Sequence, residues 1–151
     1  MERLDKSYLN SLIQNQVEEN VELEYKSAAA LDNTPQKKKE ISKDVSAMAN
    51  SAGGILIYGI KEFDEEEKRH LPKEINPVIR KNYSKEWLEH IIQSNIQPKI
   101  SNIFIDPINI SEEEVVYRIL IPQSNTAHQA NDKRYYKRYN FESVAMEDYE
   151  I

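Results

Sequence analysis

The sequence contains no cysteine, which excludes disulfide frameworks, thiolate nucleophiles and cysteine-ligated zinc, and fits a chain that never needs an oxidising compartment. Its longest apolar run, residues 53–60, falls well short of the roughly 20 residues that span a bilayer. The opening MERLDKSYLN has no apolar stretch of the signal-peptide kind. These absences predict a soluble, cytoplasmic protein with no membrane partner. The three histidines, His70, His90 and His128, have no metal-ligand spacing among themselves, and no serine or threonine has an adjacent base. His128 reads as a surface hydrogen-bonding residue. Gly53 and Gly54 follow a helix and precede a strand, the reverse of the phosphate-binding order, and no Walker lysine follows them. With no internal repeat and no linker, residues 1–151 are expected to form one domain.

Charge is abundant but unevenly spread. Charged residues make up 30% of the chain, and the formal net charge is −6, which opposes nucleic-acid binding by bulk electrostatics. Residues 1–34 hold 3 basic residues against 7 acidic ones. Lys37, Lys38, Lys39 and Lys43 collect in a later segment, and Lys133–Arg138 holds four cations and two tyrosines. Any polyanion site is therefore local.

Apolar periodicity predicts a helix over residues 3–15. Val21–Lys26 alternates, so it reads as a half-buried strand with Val21, Leu23 and Tyr25 inward and Glu22, Glu24 and Lys26 together on the other face. Thr34 and Pro35 start a helix that is expected to end at Gly53, with its lysines in the first two turns, where they oppose the helix dipole. Ile55–Ile60 reads as a central strand packed on both faces, and 61–69 as a solvated charged loop. Ser84 caps another helix that stops before Pro98. An antiparallel pair follows over about 100–110 and 114–122. The tail is expected to hold a basic-aromatic strand, 134–138, and a helical turn capped by Ser143. This order predicts a mixed α/β, or α+β, domain with a partly antiparallel sheet flanked by helices.

Glu24-x-Lys26 puts a carboxylate and an ammonium on one strand face, the pairing that a hard-metal nuclease centre needs: carboxylates to hold Mg²⁺ or Mn²⁺, and a lysine against the developing phosphate charge. Glu22 shares that face, Glu18 and Glu19 precede the strand, and Glu62 or Asp64 follows the neighbouring one. In the tail, Arg134, Tyr135, Tyr136, Lys137 and Arg138 interleave cations with rings suited to phosphates and exposed bases. An edge strand packing its tyrosines under its own sheet would have the same composition.

Taken together, Glu19-x4-Glu24-Tyr25-Lys26, the block Ile41–Ile60 with its Asn50-Ser51-Ala52-Gly53-Gly54 turn, Tyr135-Tyr136-Lys137-Arg138 and the acidic Glu147–Ile151 ending resemble the Schlafen AlbA-like domain family. The resemblance spans residues 19–151. It implies a nucleic-acid-binding α/β lobe and, in RNA-cleaving members, a three-carboxylate metal site. Carried over by motif, the glutamates fall on Glu19 and Glu24, and the third acid on Glu62 or Asp64. The expected activity is metal-dependent cleavage of structured RNA such as transfer RNA, with RNA favoured over DNA. Lys26 would neutralise charge in the transition state, and Lys37, Lys38, Lys39, Lys43 and the tail cations would serve the nucleic acid. Cleaving members pair two such lobes in a basic groove, which a homodimer of this chain would rebuild. The alternatives are a non-catalytic DNA-binding regulatory module or a nucleotide-binding accessory domain.

Overall fold

A computed structural model describes residues 4–151. The first helix, α1, runs over Lys6–Gln14, with the Asp5 carboxylate accepting from Ser7 N. Arg3, at the start of the expected helix, lies outside the described residues. β1 is Leu23–Lys26, α2 Pro35–Ala49 and β2 Gly54–Tyr58. Beyond these come β3 (Ile60–Glu62), β4 (Pro72–Ile75), β5 (Val78–Ile79), α3 (Lys85–Ser94), β6 (Phe104–Asn109) and β7 (Glu114–Ile121). β8 (Tyr136–Tyr139) and β9 (Glu142–Ala145) close the chain, followed by a single 3₁₀ turn at Asp148–Glu150.

The result is one α+β lobe. In its main sheet β1 runs parallel to β2, and β7 is antiparallel to β2, β5 and β6. Both faces of that sheet are covered. Ile41, Val45 and Met48 of α2 and Leu88, Ile91 and Ile92 of α3 pack on Leu56, Tyr58, Tyr117 and Ile119. Leu9 of α1 packs on the opposite face with Tyr25, Ile57 and Val116. Fully burying each large aliphatic side chain contributes roughly 1.5–3 kcal/mol, so the helical stripes set the layering.

The caps at Thr34 and Ser84 form as expected, accepting from Lys37 N and Trp87 N. α2, however, ends at Ala49, with Asn50 as its cap, and Gly53 instead makes the reversal into β2. Its N–H donates to Met48 O at 2.8 Å. At φ +78 its would-be Cβ lies 2.7 Å from Gln123 N and Ile121 O, so only glycine fits.

Two hairpins differ from the expected loops. Residues 61–69 are not one solvated loop: β3 and β4 pair antiparallel, because Ile60 and Ile75 anchor both arms in the second core, while the acidic run occupies the exposed tip. Ser143 does not cap a helical turn. It lies in β9, which folds back on β8 through Asn140 (φ +54) and Phe141. The terminal turn is capped by Glu147 and Glu150. The polar face of β1 is also covered, since β8 and β9 pack over α2 and bring buried polar partners to it.

Candidate metal centre

Glu19 sits where the chain turns from α1 into β1. Its N–H donates to His70 O at 3.0 Å, tying it to the β3–β4 hairpin. The side chain is 4% exposed. Oε1 accepts from Tyr25 N at 3.0 Å, and Oε2 stands 3.0 Å from His70 Nδ1. Glu62 arrives from β3, re-aimed by Gly59, whose φ is +127 and whose would-be Cβ would meet Val116 Cγ2 at 2.7 Å. The His70 ring stacks on Phe141, at the tip of the β8–β9 hairpin, with centroids 3.8 Å apart and planes 12° from parallel.

One ligand atom from each of Glu19, Glu62 and His70 lies within 4.8 Å of the others. Among the described residues, Glu62 Oε2 is buried with no hydrogen-bond partner. Burial and the neighbouring Glu19 carboxyl push the Glu62 carboxyl up to about 9. Two crowded carboxyls, an imidazole and an orphaned buried oxygen form a donor set that a divalent cation fits. A cation would stabilise both carboxylates in ionised form and satisfy the free oxygen. The three residues open onto a cleft of about 590 Å³ that Lys26, Asp64, Arg69 and Phe141 also line.

Glu24 belongs to a second, adjoining network. Its Oε2 accepts from Arg138 Nη1 at 3.0 Å, and Lys26 Nζ lies 3.4 Å from Oε1. Lys26 also stands 3.6 Å from Asp44 Oδ2, and Asp44 Oδ1 accepts from Ser143 Oγ at 3.0 Å. Burial and the Asp44 charge push Glu24 up to about 7 despite the two cations. Burial also raises Asp44. Desolvation works to lower Lys26, but Asp44 and Glu24 outweigh it and hold the ammonium above its ordinary value.

The structure thus gathers Glu19 and Glu62 with His70, while Glu24 lines the same cleft but is engaged in ion pairs. Asp64 is exposed at the cleft rim, outside the metal-sized group, and Glu22 is exposed in the turn just before β1. Lys37, Lys38, Lys39 and Lys43 are partly exposed along α2, with Lys43 Nζ 5.5 Å from the Tyr136 ring centre.

In the tail, strand alternation splits the expected binding set. Arg138 is 5% exposed and held by Glu24, Asn20 O and Val21 O, so it is a buried tether and not a phosphate contact. Tyr136 also turns inward, its hydroxyl donating to Asp132, which leaves it no face for a base. Arg134 is exposed, Tyr135 half-buried, and Lys137 pairs with Glu150. His128 is 2% exposed, wedged between Pro98 O and Ser124 Oγ, and is not a surface residue.

Sequence reasoning missed His70, Asp44 and Phe141. Asp44 alone carried a signal: a carboxylate beside Ile41, Val45 and Met48 on an apolar helix stripe needs a buried partner.

The model of the family described as Schlafen, AlbA_2 matches residues 19–147. The chain belongs to the Schlafen AlbA_2 family. Membership supports a nucleic-acid-related role in general terms. The crystal structure of the DIP2311 protein from Corynebacterium diphtheriae is similar to this Schlafen AlbA_2 lobe at TM-score 0.58 and 16% identity. The likeness covers 93% of this chain and 29% of that one, and shows a shared fold. No curated protein sequence matches significantly. No helix among the described residues is long and apolar enough to cross a membrane.

Proposed function

We propose that this Schlafen AlbA_2 domain is a divalent-metal-dependent endoribonuclease acting on structured RNA such as transfer RNA. The observation that carries the reading is the convergence of Glu19, Glu62 and His70, with an unpartnered Glu62 oxygen, in an open cleft beside a cation. These three residues would hold the metal. Of the two candidate ions, Mn²⁺ suits a mixed imidazole and carboxylate set better than Mg²⁺, which prefers oxygen donors and keeps its waters. The metal would supply Lewis-acid stabilisation of the scissile phosphate.

The chain's own residues do the rest. Lys26 lines the cleft, and its ammonium would offset charge gathering on the phosphate. Glu24, Asp44 and Arg138 act by positioning, since they hold Lys26 and anchor the hairpin that carries Phe141. Arg69 at the cleft and the α2 lysines would attract the polyanion locally, and a homodimer would extend that basic surface across two lobes.

The test is incubation of transfer RNA with the protein and Mn²⁺ or Mg²⁺, beside Glu62→Gln, Glu19→Gln and Lys26→Met. Wild-type cleavage that requires added metal is expected to fall by roughly 100-fold or more in either glutamate variant, which loses a metal ligand, and by about 100-fold in Lys26→Met, which loses a cation aimed at the transition state. Cleavage that survives Glu62→Gln would sink the centre. Absence of cleavage by the wild type would favour a non-catalytic binding module.

A further inference from the structure

We infer that the outward face of the β8–β9 ribbon is a stacking platform for an unpaired nucleic-acid strand, which it delivers to the metal cleft. The delivery rests on the nuclease reading, whereas binding by the ribbon does not.

Register decides which side chains form this face. Arg138 pairs with Ser143 across the ribbon, and both are buried. Alternation therefore sends Tyr135, Lys137 and Tyr139 to the other side. Tyr139 is 59% exposed, a large ring for a surface residue. At about 3.3 Å per residue, ring, ammonium and ring recur at roughly 6.6 Å steps along one straight line. Such a line sets the exposed Tyr139 ring and the half-buried Tyr135 ring on either side of a cation. An unpaired strand offers matching bases and phosphates, whereas a duplex keeps its base faces stacked inside.

The line ends at the cleft. Tyr139 lies opposite Glu142 in register, and Glu142 and Phe141 both line the cavity that holds Glu19, Glu62 and His70. At present the Lys137 ammonium is taken by Glu150 of the terminal turn. That carboxylate occupies the place a phosphate would take, so the acidic ending competes with the ligand.

The test uses the full chain carrying Glu62→Gln, so that no probe is cut. Fluorescence anisotropy follows a labelled 12-nucleotide oligouridylate, its deoxy counterpart and an RNA duplex of equal length. Tyr139→Ala is expected to weaken both single strands by about 10-fold, within the range for loss of one base–aromatic stack, and to leave the duplex unchanged. Glu150→Gln is expected to tighten single strands severalfold and to steepen the dependence of log K on log salt by about 0.7, one further phosphate contact. In a Trp87→Phe background, Tyr139→Trp should bind with wild-type affinity and lose emission as the strand is added.

Unchanged single-strand affinity in both Tyr139→Ala and Glu150→Gln would overturn the platform, as would equal losses for strand and duplex. The two readings fail separately. A wild-type protein that never cuts RNA yet binds strands through Tyr139 removes the nuclease alone. A protein that cuts normally with Tyr139→Ala, at unchanged strand affinity, removes the platform alone.

Discussion

Arg138→Met is expected to lower the unfolding free energy by about 3–5 kcal/mol, the usual cost of breaking a buried ion pair by removing one partner, although Lys26 stays 3.4 Å from Glu24. Arg138 is 5% exposed and Glu24 6%, so water cannot replace the lost guanidinium. The variant also frees the Asn20 and Val21 carbonyls that Arg138 holds, loosening the approach to β1. A shift of several degrees in Tm per kcal/mol is typical of a domain this size, so thermal or urea unfolding reads the effect easily. Pairing the change with Glu24→Gln removes the stranded carboxylate and should recover much of the loss. If Arg138 were a phosphate contact, Arg138→Met would weaken RNA binding and leave stability unchanged.

Stability of the metal-free protein is expected to fall as pH rises from about 5 to about 9. Glu62 titrates near 9 and Glu24 near 7 in the folded chain, both raised above their ordinary range chiefly by burial. The unfolded chain releases those protons near 4.3. Between these limits the native state binds more protons than the unfolded state, so each increment of pH favours unfolding. The stabilising contribution is complete below about 4.5 and is lost as pH passes through 7 and then 9. Saturating Mn²⁺ should reverse the trend above pH 7, because the cation takes the place of the Glu62 proton and its affinity grows with pH. Glu62→Gln mimics the protonated carboxyl. It should flatten the pH dependence of Tm and weaken Mn²⁺ binding by roughly 100-fold or more, comparable to or beyond the loss of an outer-shell partner. Scanning calorimetry at pH 5.5, 7 and 8.5, with and without metal, reads both effects.

Local chemistry made much of the fold legible. Thr34-Pro35 and Ser84 marked helix starts through their capping oxygens, and the unbroken apolar run after Gly54 marked a strand covered on both faces. The two hairpins were not legible, because their arms are short and their signals mixed. Acidic residues masked the Ile60 and Ile75 anchors of the first, and Asn140, which adopts positive φ with no glycine beside it, concealed the turn of the second. Those same hairpins finish the site. His70 comes from one and Phe141 from the other, so a histidine with no sequence partner meets a carboxylate 51 positions away. Glu19 was nameable as a candidate from motif, and the third acid only as Glu62 or Asp64. The pairing of Glu24 was not legible, since it depends on Arg138 turning inward, and the strand period alone does not say which face of β8 is covered.

Glu19, Glu62 and His70 together are proposed to form the metal centre, and the histidines test this directly. The chain has only three, His70, His90 and His128, and imidazole nitrogen resonances resolve each one. In a titration with substoichiometric Mn²⁺ at pH 7.5, the His70 signals are expected to broaden away first, while those of His90 and His128 persist, and Glu62→Gln is expected to abolish the selectivity. Persistence of the His70 signals at full Mn²⁺ saturation, or equal broadening of all three, would contradict the proposed centre.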